Sequence, residues 1–241
     1  MSIEIRGPLE LPAKREDIEL QTADGLTLVG ELASPESRSV AATLVTLHPL
    51  PTAGGFMDSH ILRKAAARLP ALADLAVLRF NTRGTTSPRG TSQGTFDGGA
   101  GEQFDVAAAM DFVRERGLAR PWLLGWSFGT ELALKYGRDL EIEGVILLSP
   151  PLHRATDEEV AAWAATDTPM VILVPEHDDY LRPDEARRRF SSVPHATLIA
   201  VEGGKHLWVG ESQTRRVLTE IVGAVNPDAL PLPTHWAADG E

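Results

Sequence analysis

Hydrophobic residues in this chain gather into short runs that alternate with stretches of helical spacing. Residues 17–22 and 26–33 alternate between apolar and polar positions on either side of Asp24 and Gly25, which predicts a β-hairpin. Further strands are predicted where brief runs are mostly apolar, over residues 40–47, 75–80, 121–124, 144–149, 170–175 and 196–201. Helices are predicted between them, over residues 60–69, 101–116, 130–136, 157–165, 183–190 and 213–225.

This order of elements predicts the fold class. An antiparallel hairpin followed by strand–helix alternation is typical of an α/β protein with a mainly parallel sheet, here of eight strands, and with helices on both faces. The pattern contains no repeat and no interdomain linker. We therefore expect one domain over residues 1–225 and an irregular tail over residues 226–241, where prolines recur.

One strand–helix junction has the residues of a nucleophile elbow. The predicted strand over residues 121–124 breaks at Ser127, which lies between Gly125 and Gly129 in the pattern G-x-S-x-G. A turn this tight brings backbone segments so close that side chains at the two glycines would collide with them. It also directs the amide of Phe128 toward the space above the serine, where an oxyanion could be bound. The motif predicts a nucleophilic serine.

A serine nucleophile needs a base, and the topology of a parallel sheet sorts the seven histidines. Partners of Ser127 should follow strands directly, because the carboxyl ends of parallel strands lie along one edge. His206 follows the last predicted strand on a glycine-rich loop, whereas His195 precedes that strand and belongs at the opposite edge. His48 follows an earlier strand but precedes a proline, which suits a role in shaping a loop. His206 is therefore the predicted general base.

The base in turn needs an acid that orients it, and the segment after residues 170–175 offers three carboxylates. They are those of Glu176, Asp178 and Asp179. The position of Asp178 on the turn favours it, with Asp179 as the second choice. A metal site formed by residues 177–179 is a competing interpretation, but no further ligands stand at a recognisable spacing.

Charge and composition limit the partners and the compartment. A formal net charge of −11 in 241 residues disfavours nucleic acid and anionic membrane as partners, since both require a basic surface. There is no cysteine, which excludes disulfides, thiolate metal sites and a cysteine nucleophile. Residues 1–16 lack the apolar segment of a signal peptide, and no run is long enough to span a membrane. We expect a cytoplasmic protein and leave open whether it forms a homo-oligomer.

From about residue 17 to residue 225, the chain resembles the α/β-hydrolase superfamily, whose members have the order serine, acid, histidine. Within it, the chain resembles small bacterial serine hydrolases related to dienelactone hydrolases and acyl peptidases. Beyond the elbow, four segments carry the likeness: His48-Pro49-Leu50-Pro51 with Gly54-Gly55, Arg79-Phe80-Asn81-Thr82-Arg83-Gly84, Glu176-His177-Asp178 with Pro183 and Ala186, and Gly204-Lys205-His206.

The resemblance implies a role for each matched residue. It implies Ser127 as nucleophile, His206 as base and Asp178 as acid, with the backbone amides of Phe128 and Leu50 as the oxyanion hole. It implies that Arg83 and Gly84 brace the loops. It implies an α/β-hydrolase fold with a minimal cap or none, because residues 150–169 have room for only one short helix. Trp163 in that segment either lines the pocket or packs on the body. No cofactor and no metal is expected.

The predicted function is a serine hydrolase that cleaves an ester, thioester or similar acyl bond of a small molecule through an acyl-enzyme on Ser127. Two alternatives remain open at this level. The same triad could serve an acyltransferase or a cofactor-free perhydrolase, since only the acceptor would differ. A non-catalytic binding protein on a hydrolase fold is the alternative from another class, because a fold does not determine a function.

Overall fold

The computed structural model describes residues 2–237. The strands are β1 (Ser2–Glu4), β2 (Lys14–Gln21), β3 (Thr27–Ser34), β4 (Ala42–Leu47), β5 (Leu75–Phe80), β6 (Thr86–Ser87), β7 (Gly90–Thr91), β8 (Pro121–Trp126), β9 (Gly144–Leu148), β10 (Met170–Pro175), β11 (Ala196–Val201) and β12 (His235–Ala237). The helices are α1 (His60–Ala73), α2 (Glu102–Glu115), α3 (Phe128–Tyr136), α4 (Asp157–Ala161), α5 (Pro183–Arg189) and α6 (Glu211–Val225).

A sheet of eight strands in the order β11-β10-β9-β8-β4-β5-β3-β2 forms the centre of the fold. Neighbours from β11 to β5 pair in parallel, and β3 is antiparallel to both β5 and β2. The hairpin turn forms where Asp24 and Gly25 predict it, since the Thr22 amide donates to the Leu26 carbonyl at 2.9 Å. The predicted fold class, a mainly parallel eight-stranded sheet with an N-terminal hairpin, is confirmed.

Helices cover both faces of this sheet. Helices α1 and α6 bury their apolar sides against one face, and α2 to α5 lie on the other. Central strands β4, β5 and β9 are buried along their whole length, which explains why they are mostly apolar runs in the sequence. Within residues 2–237, no helix is long and apolar enough to cross a membrane.

Among the residues that the structure describes, none forms a cap over the C-terminal edge of the sheet. After β9, the chain forms only α4 and a short 3-10 turn over Ala162–Ala165. Trp163 in that turn is fully buried in the core, and its indole N–H donates to the Leu134 carbonyl at 2.9 Å. Of the two positions predicted for Trp163, lining the pocket or packing on the body of the domain, the structure shows the second. The fold is that of a small α/β hydrolase without a lid.

The tail over residues 226–241, which the sequence predicts to be irregular, contains two short regular elements in the part that the structure describes. Pro227–Ala229 forms a 3-10 turn, and β12 pairs antiparallel with β1, Ile3 opposite Trp236. Residues 238–241 lie outside the described residues. Because both strands have only three residues, neither produces an alternating pattern long enough to be recognised, and their pairing depends on contact between the two ends of the chain.

Candidate active site

The carboxyl ends of the parallel strands bring the predicted residues to one edge of the sheet. Ser127 follows β8, Asp178 lies on the turn after β10, and His206 lies on the loop after β11. These strands occur in the order β11-β10-β9-β8, so that the loops after β10 and β11 reach across β9 toward the serine. Ser149, which directly follows β9, lies between them along the same edge.

Ser127 occupies a strained elbow. Its φ of 53° and ψ of −116° lie in a region that residues other than glycine rarely adopt. The turn is fixed on both sides, since the Ser127 amide donates to the Leu148 carbonyl and the Thr130 amide donates to the Ser127 carbonyl, each at 2.9 Å. A Cβ on Gly125 would overlap the backbone of Gly129, as the motif predicts.

A continuous chain of hydrogen bonds joins Ser127, His206 and Asp178. The serine Oγ lies 2.9 Å from His206 Nε2, and His206 Nδ1 lies 2.9 Å from Asp178 Oδ2. His206 and Asp178 are almost completely buried, whereas Ser127 is partly exposed. The structure therefore brings together the three residues that the sequence singled out, with the nucleophile facing the solvent.

Asp178 is held in place by the backbone of its own turn. Its Oδ1 accepts the amides of Tyr180 at 2.8 Å and Leu181 at 3.2 Å, which leaves Oδ2 directed at His206. Asp179, the second choice from the sequence, is exposed. The Asp178 carboxylate is the one that reaches the histidine.

Two residues that the sequence analysis did not single out support the loop of His206. Its carbonyl accepts both the indole N–H of Trp126 and the hydroxyl of Ser149, each at 3.2 Å. Both residues lie at carboxyl ends of strands that neighbour each other in the sheet. The rule that sorted the histidines by their position after a strand would also have indicated Ser149.

The two amides implied for an oxyanion hole are free to donate. Phe128 is the first residue of α3, so its N–H has no acceptor within the helix. Within the described part of the chain, neither the Phe128 nor the Leu50 amide donates a hydrogen bond to a protein acceptor. The Leu50 carbonyl accepts the amides of Ala53 and Gly55 at 3.0 and 2.9 Å, which fixes this loop next to β4.

His48 connects the Leu50 loop to the loop after β5. Its Nε2 accepts the backbone N–H of Thr82 at 3.0 Å, so the ring proton is on Nδ1, which donates to the Pro49 carbonyl at 2.7 Å. Complete burial lowers the pKa of His48 from 6.5 to about 4, despite the opposing effect of the Pro49 carbonyl. The neutral imidazole is a structural bridge, in agreement with the predicted loop-shaping role.

We expect this bridge to make stability depend on pH. In the unfolded chain, the imidazole takes up its proton near pH 6.5, but in the folded protein only near pH 4. The unfolded state therefore binds more protons within this window, and the free energy of unfolding falls as the pH falls through it. The variant His48→Gln keeps a hydrogen-bond acceptor but does not titrate. Between pH 6.5 and pH 4, its free energy of unfolding should therefore fall less than that of the wild type, by a difference on the order of 3 kcal/mol.

Urea unfolding of both proteins at several pH values from 8 to 4 measures this difference. Equal slopes of unfolding free energy against pH in the wild type and in His48→Gln would contradict the assignment of the buried neutral imidazole.

Arg83 braces the loop after β5, as the resemblance implies for it. Its guanidinium donates to Asp105 at 2.8 Å and to Asp24 at 2.9 Å, and its backbone N–H donates to Asp105 at 2.8 Å. These two carboxylates hold the pKa of Arg83 above its ordinary value despite burial, which acts in the opposite direction. The neighbouring Gly84 has a φ of 70°, which favours glycine. Both residues thus stabilise the backbone conformation of the loop after β5.

No group of three or more metal-ligating side chains occurs within residues 2–237. In the segment 177–179, for which a metal site is the competing interpretation, the Asp178 carboxylate bonds His206 and the His177 side chain is about half exposed.

No family model matches the chain, but similar proteins are found by sequence and by structure. An uncharacterized protein of Rickettsia prowazekii is 31% identical over 163 residues, which are 66% of this chain and 65% of that protein. The match thus spans less than two thirds of the relative's length. A serine hydrolase without a lid from Xanthomonas campestris is 28% identical, with a TM-score of 0.71 over 94% of this chain and all of the other.

Two further solved structures share the fold. A serine hydrolase homologue from Coxiella burnetii has a TM-score of 0.74 at 24% identity, over 87% of this chain and 97% of the other. An esterase from Pyrococcus furiosus has a TM-score of 0.71 at 16% identity, over 91% of this chain and 99% of the other. With the central sheet, the elbow and these neighbours taken together, the chain belongs to the α/β-hydrolase superfamily, and its likeness to serine hydrolases supports a hydrolase activity.

Proposed function

We propose that this protein is a serine hydrolase that cleaves an ester, thioester or similar acyl bond of a small molecule through an acyl-enzyme on Ser127. The observation that carries the proposal is the hydrogen-bond chain from Ser127 Oγ through His206 to Asp178, with 2.9 Å at each link. Distances of this length allow proton transfer from the serine without rearrangement of the site.

In the acylation step, each of the three residues has one task. The Asp178 carboxylate accepts the Nδ1–H of His206, which leaves Nε2 as the acceptor that faces the serine. Ser127 Oγ forms a bond to the acyl carbon as its proton passes to Nε2. The same proton then goes to the leaving-group oxygen or sulfur as its bond to the acyl carbon breaks.

The negative charge of the tetrahedral intermediate falls on the former carbonyl oxygen. The amides of Phe128 and Leu50, which donate to no protein acceptor among residues 2–237, are the donors that we propose for it. A single donor of this kind contributes about 3–4 kcal/mol to lowering the barrier. In the second half-reaction, water gives a proton to His206 as its oxygen adds to the acyl carbon. The bond between the acyl carbon and Ser127 Oγ then breaks, and Oγ takes the proton back from His206. A different acceptor at this stage would make the same intermediate serve acyl transfer or perhydrolysis.

Covalent labelling together with ester turnover tests the proposal. A fluorophosphonate should label Ser127 in the folded wild type, and p-nitrophenyl acetate and butyrate should be hydrolysed faster than esters of long acyl chains, since no cap encloses a long chain. Addition of an alcohol or peroxide as a competing acceptor separates hydrolysis from transfer. If folded wild-type protein neither reacts with the phosphonate nor cleaves these esters, the hydrolase proposal is wrong and a binding protein becomes the better explanation.

The choice between the two aspartates has a test of its own. Asp178→Asn should lower kcat/KM by about 10³-fold or more, because an amide N–H directed at Nδ1 favours the tautomer whose Nε2 cannot accept the serine proton. Asp179→Asn is the matched control, since its exposed carboxylate lies one residue away and should change kcat/KM less than threefold. The measurement is ester turnover of both variants, and the reverse ranking would transfer the role of the acid to Asp179.

A further inference from the structure

Large apolar side chains on the surface are concentrated around His206. Among residues 2–237, four large hydrophobic residues are exposed, and three of them, Tyr180, Leu207 and Val209, lie beside this histidine in sequence or in contact. Their exposed fractions are 56%, 56% and 72%. The fourth, Ile3, lies in β1. Clusters of exposed apolar residues mark binding surfaces, whereas isolated ones do not. Tyr180, Leu207 and Val209 together are called the apolar rim.

The backbone displays two members of the apolar rim in a fixed position. Trp208 lies between them, is fully buried, and has a φ of 52°, which is unfavourable for a residue with a side chain. The His60 ring bonds the Leu207 carbonyl at 2.6 Å, and the Trp208 amide donates to the Lys205 carbonyl at 2.9 Å. The buried Trp208 side chain thus anchors a strained turn, and Leu207 and Val209 on either side of it are exposed to solvent.

The third member connects the apolar rim to the histidine itself. The Tyr180 ring meets the His206 ring edge to face, with the centroids 4.6 Å apart. Its backbone N–H donates to Asp178 Oδ1 at 2.8 Å, so its position is determined by the same carboxylate that orients the base. The apolar rim therefore has one member in contact with the His206 ring and two on the segment that directly follows this histidine.

The mechanism assigns a chemical role to the side of the site where His206 lies. The leaving-group atom receives its proton from His206 Nε2, so the leaving group must lie next to the histidine, while the carbonyl oxygen faces the amide of Phe128. We propose that the apolar rim binds an apolar alcohol or thiol as the leaving group of the substrate. This inference rests on the proposed function and adds to it the class of substrate, a short acyl group on a hydrophobic alcohol or thiol.

A series of acetate esters separates the leaving group from the acyl group. Methyl, butyl and hexyl acetate all form the same acetyl-Ser127, so their rates differ only in the step in which the alcohol is bound and expelled. In the wild type, kcat/KM should rise with the length of the alcohol. In the double variant Leu207→Ser/Val209→Ser, the ratio of kcat/KM for hexyl acetate to that for methyl acetate should fall about tenfold, from lost apolar contact.

Ile3→Ser is the matched control, since it removes the fourth exposed hydrophobic residue and should leave this ratio unchanged. A wild-type ratio close to one, or a ratio that the double variant leaves unchanged, overturns the inference while ester cleavage itself continues. If the double variant keeps the wild-type ratio but, unlike the wild type, no longer sediments with phosphatidylcholine vesicles, the apolar rim binds a lipid surface instead. Failure of the wild type to cleave any of the acetates or to react with a fluorophosphonate would overturn the proposed function as well.

Discussion

Ser127→Ala and His206→Ala are each expected to lower kcat for ester hydrolysis by roughly four orders of magnitude or more, and the double variant is expected to be little worse than either. The reason is that the two side chains act as one unit across a hydrogen bond of 2.9 Å. Without the base, the hydroxyl is a poor nucleophile, and without the hydroxyl, the base has no proton to take.

Steady-state kinetics with p-nitrophenyl acetate on all three variants measures this dependence, with circular dichroism as the check that each is folded. His206→Ala should also slow fluorophosphonate labelling of Ser127, because the same proton transfer activates the serine toward phosphorus. Losses that add in the double variant would indicate that the two residues act independently and would contradict the mechanism.

Gly129→Ala is expected to cause the largest loss of stability among single substitutions at the site. A Cβ at this position would lie far inside the contact distance of the Leu47 carbonyl oxygen. Leu47 cannot retreat, since it ends β4, which is paired on both sides in the middle of the sheet. We expect a cost of more than about 4 kcal/mol, which corresponds to a drop in Tm of roughly 10 °C, and loss of turnover because the elbow opens.

Gly223→Ala is the matched control for this substitution. Gly223 lies within α6, and a Cβ there would meet only the Leu230 side chain, at an ordinary 3.6 Å. Alanine favours a helix interior over glycine by about 1 kcal/mol, so Tm should stay the same or rise slightly. Thermal unfolding of the two variants against wild type makes the comparison. A Gly129→Ala protein with a Tm within a few degrees of wild type would show that the elbow has more space than the structure gives it.

Local patterns predicted the middle strands of the central sheet well because these strands are buried on both faces. A strand that is buried on both faces, such as β4 or β9, can be recognised as a mostly apolar run without knowledge of its neighbours. The same reasoning missed β1 and β12, whose pairing joins the two ends of the chain. It also predicted no strand between residues 80 and 101, where the structure has the short strands β6 and β7.

For the candidate site, the sequence identified the residues but not all of the contacts between them. The order of serine, carboxylates and histidine, each after a strand, was enough to select Ser127 and His206. It favoured Asp178 but left Asp179 as a second choice, because adjacent residues on a turn point in directions that depend on the local backbone. The amides of Tyr180 and Leu181, which bind Asp178 Oδ1, settle the direction of that carboxylate.

The sequence by itself determined what short-range chemistry can encode, namely the alternation of strands and helices and the elbow at Ser127 with its two glycines. The tertiary structure alone decided which distant segments meet, such as His48 with Thr82 across two loops and the His206 carbonyl with Ser149. It also decided where ordinary residues adopt a left-handed backbone, as Trp208 does. Local preference opposes that conformation, and only burial of the side chain in the assembled core compensates for it.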